Sequence, residues 1–284
     1  MVSSKPDLDE VVALALHEDL GGEMRSTDVT THFVVDPDLQ GEARILARKG
    51  GVISGTDAAA AVFEHMRPPC QYYALLPNGS RVEPGDEVAR VTGSLASILR
   101  GERTALNFLQ RLSGVATLTR CYVDALASYP KVTLLDTRKT TPGLRSLERE
   151  AVRAGGGRNH RSGLWDAILI KDNHIAAAGG VRAAIQRARR SGMPVEIEVE
   201  DLEQLDEALA EGAEIVLLDN MPAELMRRAV EITAGRARLE ASGGMTLEGA
   251  VAASKAGVDR ISVGALTHSA PALDLSLEVT RTWR

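Results

Sequence analysis

The chain has 284 residues, of which 44% are hydrophobic and 25% are charged, so it holds enough apolar material for one large domain or two ordinary ones. Its formal net charge of −6 argues against general nucleic-acid binding, because proteins that bind nucleic acids usually present a basic surface. Its two cysteines are too few for a disulfide framework or a cysteine metal site. The amino terminus lacks a signal-peptide pattern, and no apolar run reaches the roughly 18 residues of a membrane span. We therefore expect a cytoplasmic protein that binds neither nucleic acid nor membrane.

The first part of the chain predicts a small mixed α/β domain that ends near residue 112. Apolar spacing and glycine-containing turns predict, in chain order, a helix over 7–20, two short strands within 43–55, two more within 78–93 and a long helix over 95–127. The long helix is predicted to be interrupted near Ser113 and Gly114.

Six short apolar runs then follow at intervals of about 20 to 35 residues, the size of a strand-helix unit. They are VTLLD (132–136), AILIK (167–171), VEIEVE (195–200), EIVLLDN (214–220), RLEASGG (238–244) and RISVGAL (260–266). Helical patterns lie between most of them. This rhythm predicts a parallel α/β barrel. An open doubly wound sheet is the main alternative, while the dissimilarity of the segments disfavours a repeat solenoid.

Nearly every one of these runs ends in polar residues. The carboxyl ends of barrel strands meet at one rim, where active sites lie, so these residues predict one shared site. The strand-end groups are Asp136 to Lys139, Lys171 to His174, Glu198 and Glu200, Asp219 and Asn220, and Glu240 with Ser242, Gly243 and Gly244.

The segment from Asp136 to Lys171 contains eight Arg or Lys and four acids, although the chain as a whole is acidic. Arg145, Arg149 and Arg153 have helical spacing and predict an exposed or ion-paired stripe. Four of the remaining five cations lie beside turns or at strand ends and are candidates for ligand binding: Arg138, Lys139, Arg161 and Lys171. Together they predict a ligand with several carboxylates or phosphates, since Arg offers a fork to a carboxylate and Lys a compact charge to a phosphate.

Glu198 and Asp219 face the same rim in this interpretation, and carboxylates opposite a polyanion favour a Mg²⁺ ion between them. The alternative is that Glu196, Glu198 and Glu200 share a strand face because their partners are the neighbouring arginines. Glycines near 155–157, in SGG (242–244) and in VGAL (263–266) indicate places where backbone can approach a phosphate closely.

Several other chemistries lack a motif: the sequence has no HExxH, CxxC, GxSxG, GxGxxG or GxxxxGK[ST]. His160, His174 and His268 lie near the predicted rim and are candidates for it. Lys171 leaves open a Schiff-base enzyme of the class I aldolase type, although carboxylates on the next strands disfavour the lowered pKa that such a lysine needs.

As a set, the motifs resemble those of the quinolinate phosphoribosyltransferase family, also called carboxylating nicotinate-nucleotide pyrophosphorylases. They are ERTALNFLQRLSG, DTRKTTPGLR, GGGRNHR, LIKDNHI, EIEVE, LLDN, EASGG and VGALTHS, in the family's order and spacing. The resemblance runs from residues 15–20 to 273–279. It implies that quinolinate and phosphoribosyl pyrophosphate become nicotinate mononucleotide, pyrophosphate and CO₂, with Mg²⁺, in NAD synthesis. A paralogous phosphoribosyltransferase for another heteroaromatic acid, or a catalytically silent metabolite sensor, is the remaining alternative.

The resemblance also implies a fold and a set of site residues. The fold is an N-terminal α/β sandwich (1–112, joined by the tail 270–284) and an incomplete parallel α/β barrel of about six or seven strands (113–269). Arg138, His160 and Arg161, with Arg103 from a neighbouring subunit of a homodimer or larger homo-oligomer, hold the dicarboxylate. The phosphoribosyl donor meets Thr137, Lys139, Lys171, Glu198, Asp219, Ser242, Gly243, Gly244, Val263, Gly264, Ala265 and His268, of which Lys139, Lys171, Glu198 and Asp219 are expected to be catalytic. One departure from the family pattern is an insertion within 18–31, which bears on subunit contacts.

Overall fold

The computed structural model describes residues 8–21 and 28–284, so the insertion predicted before Asp28 lies largely outside the described residues. The chain forms two compact units. The first contains the described residues up to Arg120 together with Thr141–Gly156 and Ala270–Arg284. The second contains Cys121–Thr140 and Gly157–Ser269.

The first unit is built on an antiparallel sheet that combines the two ends of the chain. Its helices are α1 (Leu8–Leu20), α2 (Val29–Val34), α3 (Thr56–His65), α5 (Arg145–Ala154) and most of α4 (Leu95–Ala125), whose last five residues belong to the second unit. Its strands are β1 (Gln40–Ala47), β2 (Gly51–Val52), β3 (Gln71–Ala74), β4 (Arg81–Val82), β5 (Glu87–Ser94) and β12 (Leu275–Trp283). The strand order is β12-β1-β5-β3, with β2 and β4 paired separately. The C-terminal tail therefore completes the sheet of this unit.

Alternation along β1 explains how this sheet closes over a core. Every second residue of β1 is buried, among them Ala43, Ile45 and Ala47, as a strand with one face against a core requires. Val12 and Leu16 of α1 and Phe63 of α3 belong to the same buried cluster. The sandwich of helices and sheet thus follows from the apolar stripes of the sequence.

The predicted interruption of the long helix is wrong, because α4 runs without a break from Leu95 to Ala125. Gly114 is needed for close packing: a Cβ atom there would lie 2.1 Å from the carbonyl oxygen of Pro271. Ser113 donates its hydroxyl to the carbonyl of Ser54 at 3.1 Å, so its polar group is also used within this unit. The predicted domain boundary at residue 112 falls inside this helix.

The second unit is a six-stranded parallel sheet with helices between successive strands. Its strands are β6 (Thr133–Leu135), β7 (Ile168–Ile170), β8 (Val195–Val199), β9 (Ile215–Asp219), β10 (Arg238–Ser242) and β11 (Arg260–Ser262). Its helices are α6 (Asp172–Ala178), α7 (Val181–Arg189), α8 (Leu202–Ala210), α9 (Ala223–Thr233), α10 (Leu247–Ala256) and α11 (Ala265–His268). The strand order is β6-β11-β10-β9-β8-β7, and this parallel sheet with its helices is a barrel-like α/β fold, as predicted.

A short segment extends this sheet beyond β6. Arg158 forms a parallel bridge with Leu135, its N–H donates to the carbonyl of Leu134 at 2.9 Å, and its own carbonyl accepts from the N–H of Asp136 at 3.1 Å. This contact places the residues that follow Arg158 beside the end of β6.

The pairing register shows which side chains share the inner face of the sheet. Glu198 pairs with Leu217, Leu217 with Glu240, and Glu240 with Arg260. Since paired residues of parallel strands point to the same side, these side chains and those two residues away lie on one face. All six apolar runs are therefore strands whose alternate residues face a common interior. In the described part of the chain no helix is long and apolar enough to cross a membrane.

Candidate active site

The cationic segment after β6 is held by a short turn. The N–H of Lys139 donates to the hydroxyl of Thr137 at 3.1 Å, and the N–H of Thr140 donates to the carbonyl of Arg138 at 2.9 Å. The hydroxyl of Thr267 donates to the carbonyl of Lys139 at 2.8 Å, which ties the turn to the segment after β11. The backbone here is therefore fixed, while the Lys139 side chain stays exposed.

Lys139, Gly264 and His268, which the family resemblance assigns to the phosphoribosyl donor, lie next to one another. A Cβ atom at Gly264 would lie 3.0 Å from Cδ of Lys139 and 3.2 Å from Nε2 of His268. The absence of a side chain at Gly264 therefore leaves its backbone open beside a lysine and a histidine. Val263, buried, and Ala265 flank this glycine in the chain.

Lys171 and Glu198 form an ion pair at the ends of β7 and β8, with Nζ 2.6 Å from Oε2. The Glu198 carboxylate is 12% exposed and the lysine side chain 45% exposed, so the pair lies at the edge of the interior. His174 has a different use, because its Nδ1 accepts the backbone N–H of Lys171 at 3.0 Å and caps the start of α6. The structure gives His174 a structural role.

Asp219 and the glycine loop after β10 are joined through Asn220. The Asn220 side-chain amide donates to Oδ2 of Asp219 at 2.8 Å, and the Asn220 N–H donates to the carbonyl of Ser242 at 2.9 Å. A Cβ atom at Gly243 would lie only 2.2 Å from Oδ1 of Asn220, and Gly243 has φ +95°. Only glycine fits there, and Gly244 is exposed beside it.

Arg138 and Arg161 follow two segments that the parallel bridge between Leu135 and Arg158 holds side by side. Burial and then the charge of Arg138 lower the pKa of Arg161, while Asp166 and Glu196 oppose that shift. Two guanidinium groups held near each other favour an anion between them, and a guanidinium binds a carboxylate through two parallel hydrogen bonds. The Arg161 side chain also donates to the carbonyl of Ala167 at 3.3 Å, which limits its movement.

His160 points into the interior of the sheet. Its Nε2 lies 3.0 Å from Oε2 of Glu196 and 3.4 Å from Oε1 of Glu240, and its side chain is 11% exposed. Glu240 is fully buried and lies 3.0 Å from Nε of Arg260. The prediction that Glu240 is a strand-end residue of the rim is therefore wrong, since it lies in the middle of β10.

The loop that carries His160 is anchored by a buried carboxylate. Asp136 accepts the side-chain amide of Asn159 at 2.6 Å and the backbone N–H of His160 at 2.7 Å. Asp136 is completely buried, so this acid is structural even though it directly precedes the cationic turn. Sequence reasoning missed this role and the inward position of Glu196. An acid in the middle of an apolar strand run was the available signal for both Glu196 and Glu240.

The candidate metal residues do not form a closed metal site. Among the described residues, Glu198 and Asp219 belong to no group of three or more potential ligands, and the single group of that kind is His160, Glu196 and Glu240. Arg103 lies exposed on α4, in the first unit. The alternative that the alternating glutamates pair only with arginines is also incomplete, because Lys171 and His160 are their nearest partners.

The fold and these groups define a class of protein. A barrel-like α/β unit that gathers lysines, arginines, carboxylates and close-approach glycines at the carboxyl ends of its strands is an enzyme for strongly anionic substrates. The chain belongs to the quinolinate phosphoribosyltransferase family. The family model for the C-terminal domain matches residues 115–278, and the model for the N-terminal domain matches residues 28–113. The resemblance predicted from the motifs is confirmed.

Curated relatives carry the same assignment over most of their length. The chain is 42% identical to the nicotinate-nucleotide pyrophosphorylase (carboxylating) of Mycobacterium leprae, over 95% of this chain and 96% of the relative. It is 44% identical to a probable nicotinate-nucleotide pyrophosphorylase (carboxylating) of Synechocystis, over 85% of this chain and 84% of the relative.

Solved structures agree with the fold. The nicotinate-nucleotide pyrophosphorylase of Ehrlichia chaffeensis matches with a TM-score of 0.91 and 34% identity, over 97% of this chain and 100% of that one. NadC of Streptococcus pyogenes matches with a TM-score of 0.89 and 40% identity, over 96% of this chain and 97% of that one.

Proposed function

We propose that the protein transfers the phosphoribosyl group of phosphoribosyl pyrophosphate to quinolinate with loss of CO₂, giving nicotinate mononucleotide and pyrophosphate for NAD synthesis. The observation that carries the proposal is the parallel bridge between Leu135 and Arg158, which sets the segments that carry Arg138 and Arg161 side by side, in a chain of this family. Two adjacent guanidinium groups fit a ring with two adjacent carboxylates. A ring with one carboxylate offers these two cations one anionic partner fewer.

The chemistry needs stabilisation of two developing charges. As pyrophosphate leaves C1 of the ribose, negative charge grows on the phosphates and positive charge grows on the sugar. We assign Lys139 and Lys171 to the phosphates, and the carboxylate of Glu198 to the oxocarbenium-like sugar. The pyridine nitrogen then forms the bond to C1 and becomes cationic. The electron pair of the ring-carboxylate bond can now be left on the ring as CO₂ departs, and a proton takes its place.

The ion pair of Lys171 with Glu198 argues against the Schiff-base alternative. A Schiff-base lysine must present its Nζ to a carbonyl carbon, whereas Nζ of Lys171 lies 2.6 Å from Oε2 of Glu198 and is held by that carboxylate. A lysine side chain in this position suits a phosphate ligand.

A Mg²⁺ ion bound with the phosphoribosyl donor would neutralise part of the pyrophosphate charge. The available donors are carboxylate oxygens, which are the ligands that Mg²⁺ prefers. Asp219 fits this role better than Glu198, because Oε2 of Glu198 is already paired with Lys171. In the part of the chain that the structure describes, neither Glu198 nor Asp219 belongs to a group of three potential metal ligands, which suits an ion that arrives on the substrate phosphates.

We also propose that the working form is at least a homodimer, with Arg103 of the partner subunit completing the dicarboxylate site. Support comes from the exposure of Arg103 and from large apolar side chains left in solvent on α2, where Phe33 is 82% and Val34 is 77% exposed. Apolar groups clustered on a surface mark interaction sites. A cytoplasmic location is proposed as well, and the two free cysteines, Cys70 and Cys121, are compatible with a reducing compartment.

The test is to incubate the purified protein with quinolinate, phosphoribosyl pyrophosphate and Mg²⁺ and to measure nicotinate mononucleotide and released CO₂. Both products should appear in equal amounts from quinolinate, and neither should appear with nicotinate as the ring acid. Binding of the phosphoribosyl donor without turnover of quinolinate would refute the proposed ring substrate, and the absence of both would refute the proposed reaction.

A further inference from the structure

A buried cluster of charged side chains surrounds Nε2 of His160, which the family resemblance places in the dicarboxylate site. Nε2 of His160 faces two carboxylates, those of Glu196 on β8 and Glu240 on β10. Both carboxylates are almost or completely shielded from water, at 6% and 0% side-chain exposure. Buried acids that only fill space are rare, because an unpaired buried charge is costly.

Other charged groups near His160 lie on β11, at the end of β6 and in the segment that follows His160. Arg260 on β11 is paired with Glu240, and Asp136 at the end of β6 holds the backbone N–H of His160. Arg161 follows in the chain, and its own pKa is lowered in part by the charge of Arg138. Leu217 on β9 pairs with Glu240, and Leu169 on β7 pairs with Glu196, so these inner-face neighbours of the two glutamates are apolar. Lys171, at the end of β7, is paired with Glu198 instead.

The charges of this cluster balance when His160 carries a second proton. Glu196 and Glu240 together supply two negative charges, and Arg260 with an imidazolium at His160 supplies two positive ones. A divalent cation among His160, Glu196 and Glu240 would instead leave an excess of positive charge next to the Arg260 guanidinium. A proton therefore satisfies these groups better than a metal ion does.

The contacts of the ring show where each proton belongs. The backbone N–H of Arg161 donates to Nδ1 of His160 at 2.7 Å, so a neutral ring carries its proton on Nε2, facing the two carboxylates. A second proton must go to Nδ1. It displaces the bond from Arg161 and leaves two N–H donors side by side, one on the ring and one on the backbone.

We propose that Glu196 and Glu240 are positioning residues that hold Nε2 of His160 inward and favour a proton on Nδ1, so that Nδ1–H and the backbone N–H of Arg161 jointly bind one carboxylate of the substrate. This inference rests on the proposed function. It adds a contact for one of the substrate carboxylates, because a carboxylate opposite the two neighbouring N–H donors accepts from both of them.

The electrostatics support the same direction. Burial by itself lowers the pKa of His160, but the hydrogen bonds and charges of Glu196 and Glu240 outweigh it and raise the pKa from 6.5 to about 9. A raised pKa means that the ring keeps its second proton below about pH 9 and loses it above that value. Removing either acid weakens this effect, so the pKa of His160 must fall.

The direct test is a titration of the histidine nitrogens by NMR in protein labelled with ¹⁵N-histidine, with His160 assigned among the six histidines by comparison with His160→Gln. The wild type should show a pKa for His160 well above 6.5, and Glu240→Gln and Glu196→Gln should each lower it. Glu203→Gln, which removes an exposed acid on α8, is the matched control and should leave it unchanged. A wild-type pKa near or below 6.5, or one that neither glutamine variant moves, would overturn the proposal, as would a metal ion bound in stoichiometric amount at these three side chains.

Kinetics give an independent readout. For the wild type, kcat/KM for quinolinate should fall about tenfold per pH unit above the pKa of His160, since one proton is lost. In Glu240→Gln this decline should begin at lower pH, while KM for phosphoribosyl pyrophosphate stays unchanged. A decline at the same pH in both proteins would contradict the proposal. The NMR titration needs no turnover. A wild type that is inactive but shows the raised pKa of His160 would therefore refute the proposed function and leave the positioning of His160 by the two glutamates standing.

Discussion

Arg111→Leu should destabilise the first unit, because it leaves a buried carboxylate without its counter-charge. Glu148 has no solvent exposure, and Oε1 accepts from Nε of Arg111 at 3.1 Å and from Nη2 at 2.8 Å. The same carboxylate accepts the hydroxyl of Thr141 at 2.8 Å and the backbone N–H of Thr141 at 3.0 Å. It therefore ties α4 and α5 to the chain segment that begins two residues after Lys139.

The magnitude follows from what remains after the substitution. Breaking a buried ion pair by removing one partner costs about 3–5 kcal/mol, because the other charge stays buried and unpaired. The two bonds from Thr141 remain and reduce the penalty toward the lower end of this range. For a unit of this size, one kcal/mol corresponds to about 2–4 °C in Tm, so we expect a loss of roughly 6–12 °C.

The assay is thermal unfolding followed by calorimetry, with Arg111→Leu, Glu148→Gln and the double variant Arg111→Leu/Glu148→Leu measured beside the wild type. The double variant should recover much of the loss, since it removes both charges. Arg100→Leu, a substitution of another arginine on α4, serves as the matched control and should change the Tm much less. A loss below about 1 kcal/mol for Arg111→Leu would show that the Glu148 charge is not buried in solution, and would refute the reasoning.

Three further outcomes follow from the site. Arg138→Ala should fold normally and weaken quinolinate binding about ten- to a hundredfold, the value of a charge-assisted contact of about 1.5–3 kcal/mol, and unchanged steady-state kinetics would remove Arg138 from the site. Gly243→Ala should lower activity and reduce the free energy of unfolding by more than the roughly 1–2 kcal/mol of left-handed backbone strain, because the new Cβ also meets Asn220. Gly192→Ala is the control for strain alone, since Gly192 has φ +68° and open space around it. Equal losses of stability for the two variants would argue against the clash. Mixing Arg103→Ala protein with Lys171→Ala protein should restore some activity through mixed sites, and no recovery after verified subunit exchange would contradict a shared site.

Local sequence patterns predict the strands and the segments that carry the cations. The six apolar runs are strands because each is short, is followed by polar residues and is separated from the next by a helical pattern. The site residues that could be predicted are those next to turns, such as Lys139 and Gly264, which do meet in the structure. The turns that carry these residues are encoded locally, and the parallel pairing of β11 with β6 brings the two turns together.

The residues that were misread depend on contacts made far along the chain. Gly114 looks like a helix break in the local pattern. A glycine is required there because Pro271, 157 residues later in the chain, packs against α4. Glu240 looks like a rim residue, yet the register of β10 against β11 places it inside, beside Arg260. The inward direction of His160 follows from the bridge of Arg158 to β6, which no local pattern encodes.

The central claim is that Arg138 and Arg161 bind two adjacent carboxylates of one ring. Isothermal calorimetry with quinolinate, nicotinate and a pyridine dicarboxylate whose acid groups are not adjacent tests it most directly. The account predicts that quinolinate binds at least about ten times more tightly than either comparison ligand, since each lost charge-assisted contact is worth about 1.5–3 kcal/mol. Equal affinity for quinolinate and nicotinate would contradict it.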